Sequence, residues 1–213
     1  MPTKETTEPK QRILDAAILL FAKKGYAGVG VREIAKEAGV NIAMISYYYE
    51  GKVGILKSII EEYFARFHLS IEDMDFSVQP PEDNVRELVG RIIDFVRENT
   101  ELAMVMYNEL PLDIPEITEI KAERISGMIR NLNGLIHQFG IDPGDSTKIS
   151  MVGPSLIGMI FTNFRAQSVV QRAFGVEIDD AYYERLKSTL ATLFLEGVKG
   201  VVAEMNKSEE SKG

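Results

Sequence analysis

The 213-residue chain contains no cysteine. Disulfides, thiolate nucleophiles and cysteine-based zinc sites are excluded, so the fold must be held by its core. Histidine occurs only as His68 and His137, too few for most histidine-rich metal sites. No apolar run approaches the ~20 residues of a membrane span. The nearest, residues 151–164, is broken by Gly153, Pro154, Gly158, Thr162 and Asn163. The polar first nine residues hold no apolar stretch of the signal-peptide kind. A cytoplasmic protein with no membrane association, metal or cofactor is expected. Enzyme signatures are missing too: there is no GxSxG, no HExxH and no phosphate-binding loop. Gly51-Lys52 lacks the upstream glycine such a loop needs. No catalytic residue can be named, and no enzyme is expected.

What is present is an ordinary globular balance, 45% hydrophobic and 26% charged. Apolar residues recur at helical spacing, and β-type alternation is scarce. The periodicity predicts nine helices, over residues 11–24, 31–38, 41–50, 52–71, 85–98, 101–109, 116–139, 146–174 and 179–205. Residues 1–9 read as an unstructured arm and 206–213 as a charged tail. Glycines 25, 39 and 140 read as helix stops. Pro154 should kink the eighth helix, because it lacks the N–H that would bond the Ser150 carbonyl. The expected fold is all-α, with a domain boundary near residue 68. The net charge of −8 is unevenly spread: residues 1–68 carry +2 and residues 69–213 carry −10. The acidic total therefore does not exclude a nucleic-acid contact by the first segment. A charge of +2 steers weakly, so such binding would depend on a few placed contacts.

The informative stretch is residues 31–49, VREIAKEAGVNIAMISYYY. Two short helices meet through Ala38, Gly39 and Val40. Gly39 stands where a tight turn needs positive φ, and Ala35 is small enough for a close crossing. Ile34, Val40 and Ile45 would share a buried face. This is the spacing of a helix-turn-helix, whose second helix enters the DNA major groove. No acidic residue occurs in 38–49. Tyr47, Tyr48 and Tyr49 are consecutive and cannot share one helix face, so at least one presents its hydroxyl outward. A plain helical hairpin would give a similar pattern.

The stretches RILDAAILLFAKKGY and VREIAKEAGV, with the tyrosines and Gly51-Lys52, resemble the TetR family of bacterial transcriptional regulators. The likeness covers about residues 10–68. It implies a three-helix helix-turn-helix domain over residues 8–68. It also implies a ligand-binding and dimerisation domain over residues 69–213, a homodimer through the last two helices, and a near-palindromic double-stranded operator. The function implied is a repressor released by a small-molecule effector; the alternative is a helical interaction module that keeps the scaffold without binding DNA. Carried over by position, Arg32 would touch a phosphate or base, and Asn41 would cap the recognition helix. Ile42, Ala43 and Met44 would fill its first turn, where they could meet thymine methyls. Ser46, Tyr47 and Tyr48 would complete the DNA face, while Tyr49 packs inward. Lys52 would meet a phosphate at a helix start. The chain departs from the pattern at Val29 and Gly30, where many relatives carry hydroxyls, and at Ile42 and Ser46.

For the effector, candidate lining residues are Met104, Met106, Tyr107, Met128, Asn131, His137, Met159, Asn163 and Arg165. Methionine adapts to varied apolar ligands, though ordinary core packing explains any single one as well. Arg165 could bind an anion, pair with a buried glutamate, or sit at the helix surface. The last helix carries Leu186, Leu190, Leu193, Phe194, Val198, Val201 and Val202, a wide stripe suited to a dimer interface or to packing within the chain.

Overall fold

The computed structural model describes residues 8–210, with side chains described through Gly200. The described residues are all-helical. Eleven α-helices run in order: α1 Pro9–Lys24, α2 Val31–Ala38, α3 Ile42–Tyr49, α4 Lys52–Ile71, α5 Pro81–Glu98, α6 Thr100–Met104, α7 Pro115–Asn131, α8 Asn133–Gln138, α9 Ser146–Arg165, α10 Gln167–Phe174 and α11 Asp180–Glu210. A π-helical turn, Val105–Glu109, continues α6. Among the described residues no helix is long and apolar enough to cross a membrane.

Eleven helices replace the nine expected because two long ones divide. The predicted helix 116–139 breaks at Leu132, where ψ is 2°. Asn131, Asn133 and Gly134 surround that break, and both residue types propagate a helix poorly. The predicted helix 146–174 breaks at Ala166, with φ −91° and ψ 0°. It continues through Pro154, so the interruption falls twelve residues beyond the proline. At the N-terminus, Pro9 opens α1 instead of belonging to an arm. Its fixed φ and missing N–H suit the first helical position. Residues 1–7 and 211–213 of the expected arm and tail lie outside the described residues, as do the side chains of Val201 and Val202.

The chain forms two compact units. One comprises Met1–His68 with Glu98–Ser126, the other Leu69–Arg97 with Gly127–Gly213. The first therefore takes α6, the π turn and most of α7 in addition to the linear segment up to residue 68. Its core joins Ile13, Ala17 and Phe21 of α1 to Ile34 of α2, Ile45 of α3 and Ile55, Leu56, Ile59 and Ile60 of α4. Leu102, Val105, Met106, Leu110 and Ile117 belong to the same cluster. The Lys121 ammonium donates to the Met106 carbonyl of the π turn at 3.1 Å. Burial lowers the pKa of Lys121.

In the second unit, α5 buries Val85, Leu88, Val89, Ile92, Ile93, Phe95 and Val96. Asn84 is its buried polar residue, and its amide donates to the carbonyls of Phe76 at 2.9 Å and Gln79 at 3.2 Å. These bonds satisfy the buried amide and pin the loop before α5. α9 packs on α11, with the Phe164 ring 5.7 Å from that of Tyr183; α9 buries Leu156, Ile160, Phe161 and Phe164, and α11 buries Tyr183, Leu186 and Leu190. The Gln167 amide donates to the Tyr183 hydroxyl at 2.7 Å.

Candidate nucleic-acid interface

α1 supplies the support for the two short helices. Gly25 ends it with φ +73°, a backbone shape that favours glycine. Lys24 in its last turn pairs with Glu33 in the first turn of α2. Each charge also suits the helix end it occupies. Gly30 precedes α2 without a side-chain cap, and Val29 is buried. The hydroxyl contacts lacking in the sequence are thus lacking in the structure.

The turn between α2 and α3 is closed by Gly39 at φ 64°, ψ 42°. The Val40 N–H bonds the Ala35 carbonyl at 3.0 Å and the Gly39 N–H bonds that of Lys36 at 3.2 Å. These bonds satisfy carbonyls at the end of α2 that a helix leaves unpaired. Asn41 then opens α3, its side chain accepting from the Ala43 N–H at 2.9 Å. Ile34, Ala35, Ala38 and Ile45 are buried where the pair meets the core.

With that face fixed inward, the opposite face of α3 is set by geometry. Asn41, Ile42, Ala43, Ser46 and Tyr47 are exposed. Tyr47 retains 81% of its surface and Ile42 retains 42%. Met44 and Tyr48 are half-buried at the edges of this face. The Tyr48 ring meets Tyr47 edge-on at 4.9 Å. Tyr49 is 4% exposed and donates its hydroxyl to the Lys10 carbonyl at 2.7 Å. The three consecutive tyrosines therefore divide into an outward, an edge and an inward position. Arg32 is exposed at the start of α2.

α3 ends at Glu50, which adopts a left-handed conformation with φ 56°. Gly51 follows with φ +114°, and α4 begins at Lys52. The Lys52 side chain is half-buried and folds back on the end of α1. Its ammonium lies 3.8 Å from the centroid of the Tyr26 ring and 5.7 Å from that of Phe21. It also donates to the Tyr26 carbonyl. Burial lowers its pKa. The family resemblance gave Lys52 a phosphate contact but gave Tyr26 no role. The signal was present, since Tyr26 closes the RILDAAILLFAKKGY stretch.

Of the effector candidates, Met104, Met106 and Tyr107 lie in the first unit, with Met106 buried and Tyr107 exposed. Met128, Asn131, His137, Met159, Asn163 and Arg165 lie in the second. There Asn131, His137 and Arg165 are exposed, and Met128, Met159 and Asn163 are half-buried. The Asn163 amide is spent on the Met159 carbonyl at 2.8 Å. A hollow of about 400 Å³ in the second unit is lined instead by Val176, Glu177, Asp179, Tyr182, Arg185, Leu186 and Thr189. Among the described residues no three acidic or histidine side chains are grouped to hold a metal ion.

The sequence model described as "Bacterial regulatory proteins, tetR family" matches residues 13–59, spanning α1, α2, α3 and part of α4. The chain is 34% identical over 113 residues to the probable HTH-type transcriptional regulator YttP of Bacillus subtilis, covering 52% of this chain and 55% of YttP. It spans about half the length of the curated relatives it matches. Its fold is similar to that of the fatty acid degradation regulator FadR from Bacillus halodurans. That likeness has a TM-score of 0.69 and 21% identity, covering 87% of this chain and 96% of that one. FadR from Bacillus subtilis in complex with stearoyl-CoA gives a TM-score of 0.65 at 22% identity, covering 88% and 98%. Residues 13–59 thus carry the sequence pattern of the tetR family of bacterial regulatory proteins, and the chain shares its helical fold with the two FadR proteins.

Proposed function

We propose that this protein is a cytoplasmic, sequence-specific DNA-binding regulator, a repressor released from its operator by a small-molecule ligand. Residues 8–68 read the DNA, and residues 69–213 bind the effector and dimerise. The observation that carries this reading is the outward face of α3. It presents Asn41, Ile42, Ala43, Ser46 and Tyr47 with no carboxylate until Glu50 at the helix end. In a major groove, Ile42 and Ala43 meet thymine methyls. The Tyr47 hydroxyl is free to donate to a phosphate or base edge, and Arg32 supplies a cation at the start of the neighbouring helix.

The protein acts as a homodimer in this reading, each copy reading one half of a near-palindrome. Leu186, Leu190 and Val198 of the last helix are already buried within the chain, but Leu193 is 57% exposed. Met151 on α9 is exposed as well. These outward positions, with Gly197 and Gly200, form the proposed contact. Ligand release requires that the effector bind the DNA-free state more tightly than the operator-bound state. Half-buried Met128, Met159 and Asn163 of the second unit are the proposed lining. The stearoyl-CoA held by the Bacillus subtilis neighbour makes acyl-CoA thioesters the first ligand class to try.

The test is selection of duplexes from a randomised pool by the full chain. Titration of the enriched duplex against a scrambled one follows, with and without stearoyl-CoA. Enrichment of a near-palindrome, with binding that weakens as salt rises, supports the proposal. Failure to enrich any duplex refutes it in favour of an interaction module.

A further inference from the structure

We propose that Tyr26 is a positioning residue that holds the Lys52 ammonium ready for a DNA phosphate. This rests on the DNA-binding reading above. Tyr26 follows the glycine stop of α1, and its ring is braced edge-on against Phe21 at 5.4 Å. Lys52 is the first residue of α4 and comes directly after the Glu50-Gly51 turn that ends α3. The ammonium has three N–H donors. The Tyr26 carbonyl takes one, and the ring face lies 3.8 Å away beneath the charge. The same carbonyl also accepts the Val29 N–H at 3.3 Å, so Lys52 is tied to a fixed point of the turn. No carboxylate among the described residues pairs with Lys52, which leaves its outward donor for an external anion.

A surface lysine ordinarily surrenders rotamer freedom when it grips a phosphate. Here the stem is ordered in the free protein by the ring and the carbonyl, so little of that freedom remains to be lost on binding. Partial burial also removes competing water from the ammonium. A weakly charged reading head gains most from such an arrangement, because few cations must serve where a basic protein would have many. The aromatic face is the essential element. The carbonyl belongs to the backbone and survives any substitution at position 26.

The experiment is a double-mutant cycle on the full chain, using the duplex enriched by the wild type. Affinity is measured from about 50 to 200 mM salt, where phosphate contacts register as a slope. The variants are Lys52→Met, Tyr26→Leu, Tyr26→Phe and Tyr26→Leu with Lys52→Met. Lys52→Met should weaken binding and reduce the salt slope by about 1. Tyr26→Leu should weaken binding about three- to fivefold, the size expected for an exposed cation–π contact. The same change in the Lys52→Met background should do nothing further, and Tyr26→Phe should bind as the wild type does. Tyr26→Met fills the space without a π face and replaces Tyr26→Leu should the latter not fold. Equal losses from Tyr26→Leu in both backgrounds would mean a merely structural role and overturn the proposal. An unchanged salt slope in Lys52→Met would overturn it as well. A wild type that shows no salt-dependent binding to any duplex would instead overturn the DNA-binding reading itself.

Discussion

A Cβ atom added to Gly54 would lie 1.7 Å from the carbonyl oxygen of Tyr49. The first turn of α4 thus runs against the last residue of α3 at a distance that excludes any side chain. This contact fixes where α3 ends relative to the helix that carries Lys52. The displaced atom would be backbone, which cannot rotate aside as a flexible side chain can.

Gly54→Ala should therefore act on stability and DNA binding together. Overpacking of this kind costs about 1–3 kcal/mol. Urea denaturation should show that loss, and affinity for the selected duplex should drop in parallel. An alanine variant with an unchanged urea midpoint would show that the two backbones separate readily.

Glu50→Gly should move stability the other way. Glu50 holds φ 56° at the end of α3. A non-glycine residue in that region costs about 1–2 kcal/mol, part of which glycine returns to its looser unfolded chain. A net gain below about 1 kcal/mol is expected in the same urea experiment. Removing the carboxylate should also tighten DNA binding, because Glu50 is exposed beside the acid-free face. Looser binding by the glycine variant would place that face away from the phosphates.

Asn41→Ala should lose about 1 kcal/mol, the usual worth of a side-chain cap. Asn41→Ser should recover most of it. Amide hydrogen exchange over 42–45 reports the fraying directly, and equal exchange in wild type and the alanine variant would contradict the cap.

Alkaline pH should loosen the first unit through Tyr49. Burial pushes its pKa up to about 12, with the charges of Asp15 and Glu62 adding to the shift. An unfolded tyrosine titrates near ~10. The folded state thus holds the proton more tightly. The associated stability is fully present below about pH 10 and disappears as pH rises toward the folded value. Tyr49→Phe should show a shallower decline between about pH 10 and pH 12. The decline should not vanish, because burial also raises the pKa of Tyr26 and Tyr63. An identical pH profile for Tyr49→Phe would remove Tyr49 from the explanation.

The short helices were legible because each is bounded by a local signal. Gly25 and Gly39 take positive φ, Asn41 caps α3, and Ile34 and Ile45 fall on the buried side. The inward turn of Tyr49 came from the family resemblance, since periodicity required only that the three tyrosines diverge. The break at Ala166 was not legible, because alanine favours a helix, whereas the signal for the break at Leu132 lay in its neighbours Asn131, Asn133 and Gly134. Pro154 carried the stronger local signal, and α9 runs on through it to Arg165 as one helix. The partners of Lys52 were illegible for a different reason. Tyr26 lies 26 residues away in the chain, and only the folding of α1 onto α4 brings its ring beneath the ammonium. Periodicity also could not tell which effector candidates are exposed, as Tyr107, Asn131, His137 and Arg165 are.

The most direct measurement is the affinity of the wild type and Tyr47→Ala for the selected duplex as salt is raised. Tyr47 is almost fully exposed, so its loss should leave thermal unfolding unchanged. The wild type should bind with a clear negative slope against log salt, and Tyr47→Ala should bind at least about fivefold more weakly, a loss on the order of 1 kcal/mol for one hydrogen bond. Equal affinity of the two proteins would contradict the assignment of α3 as the DNA-reading helix.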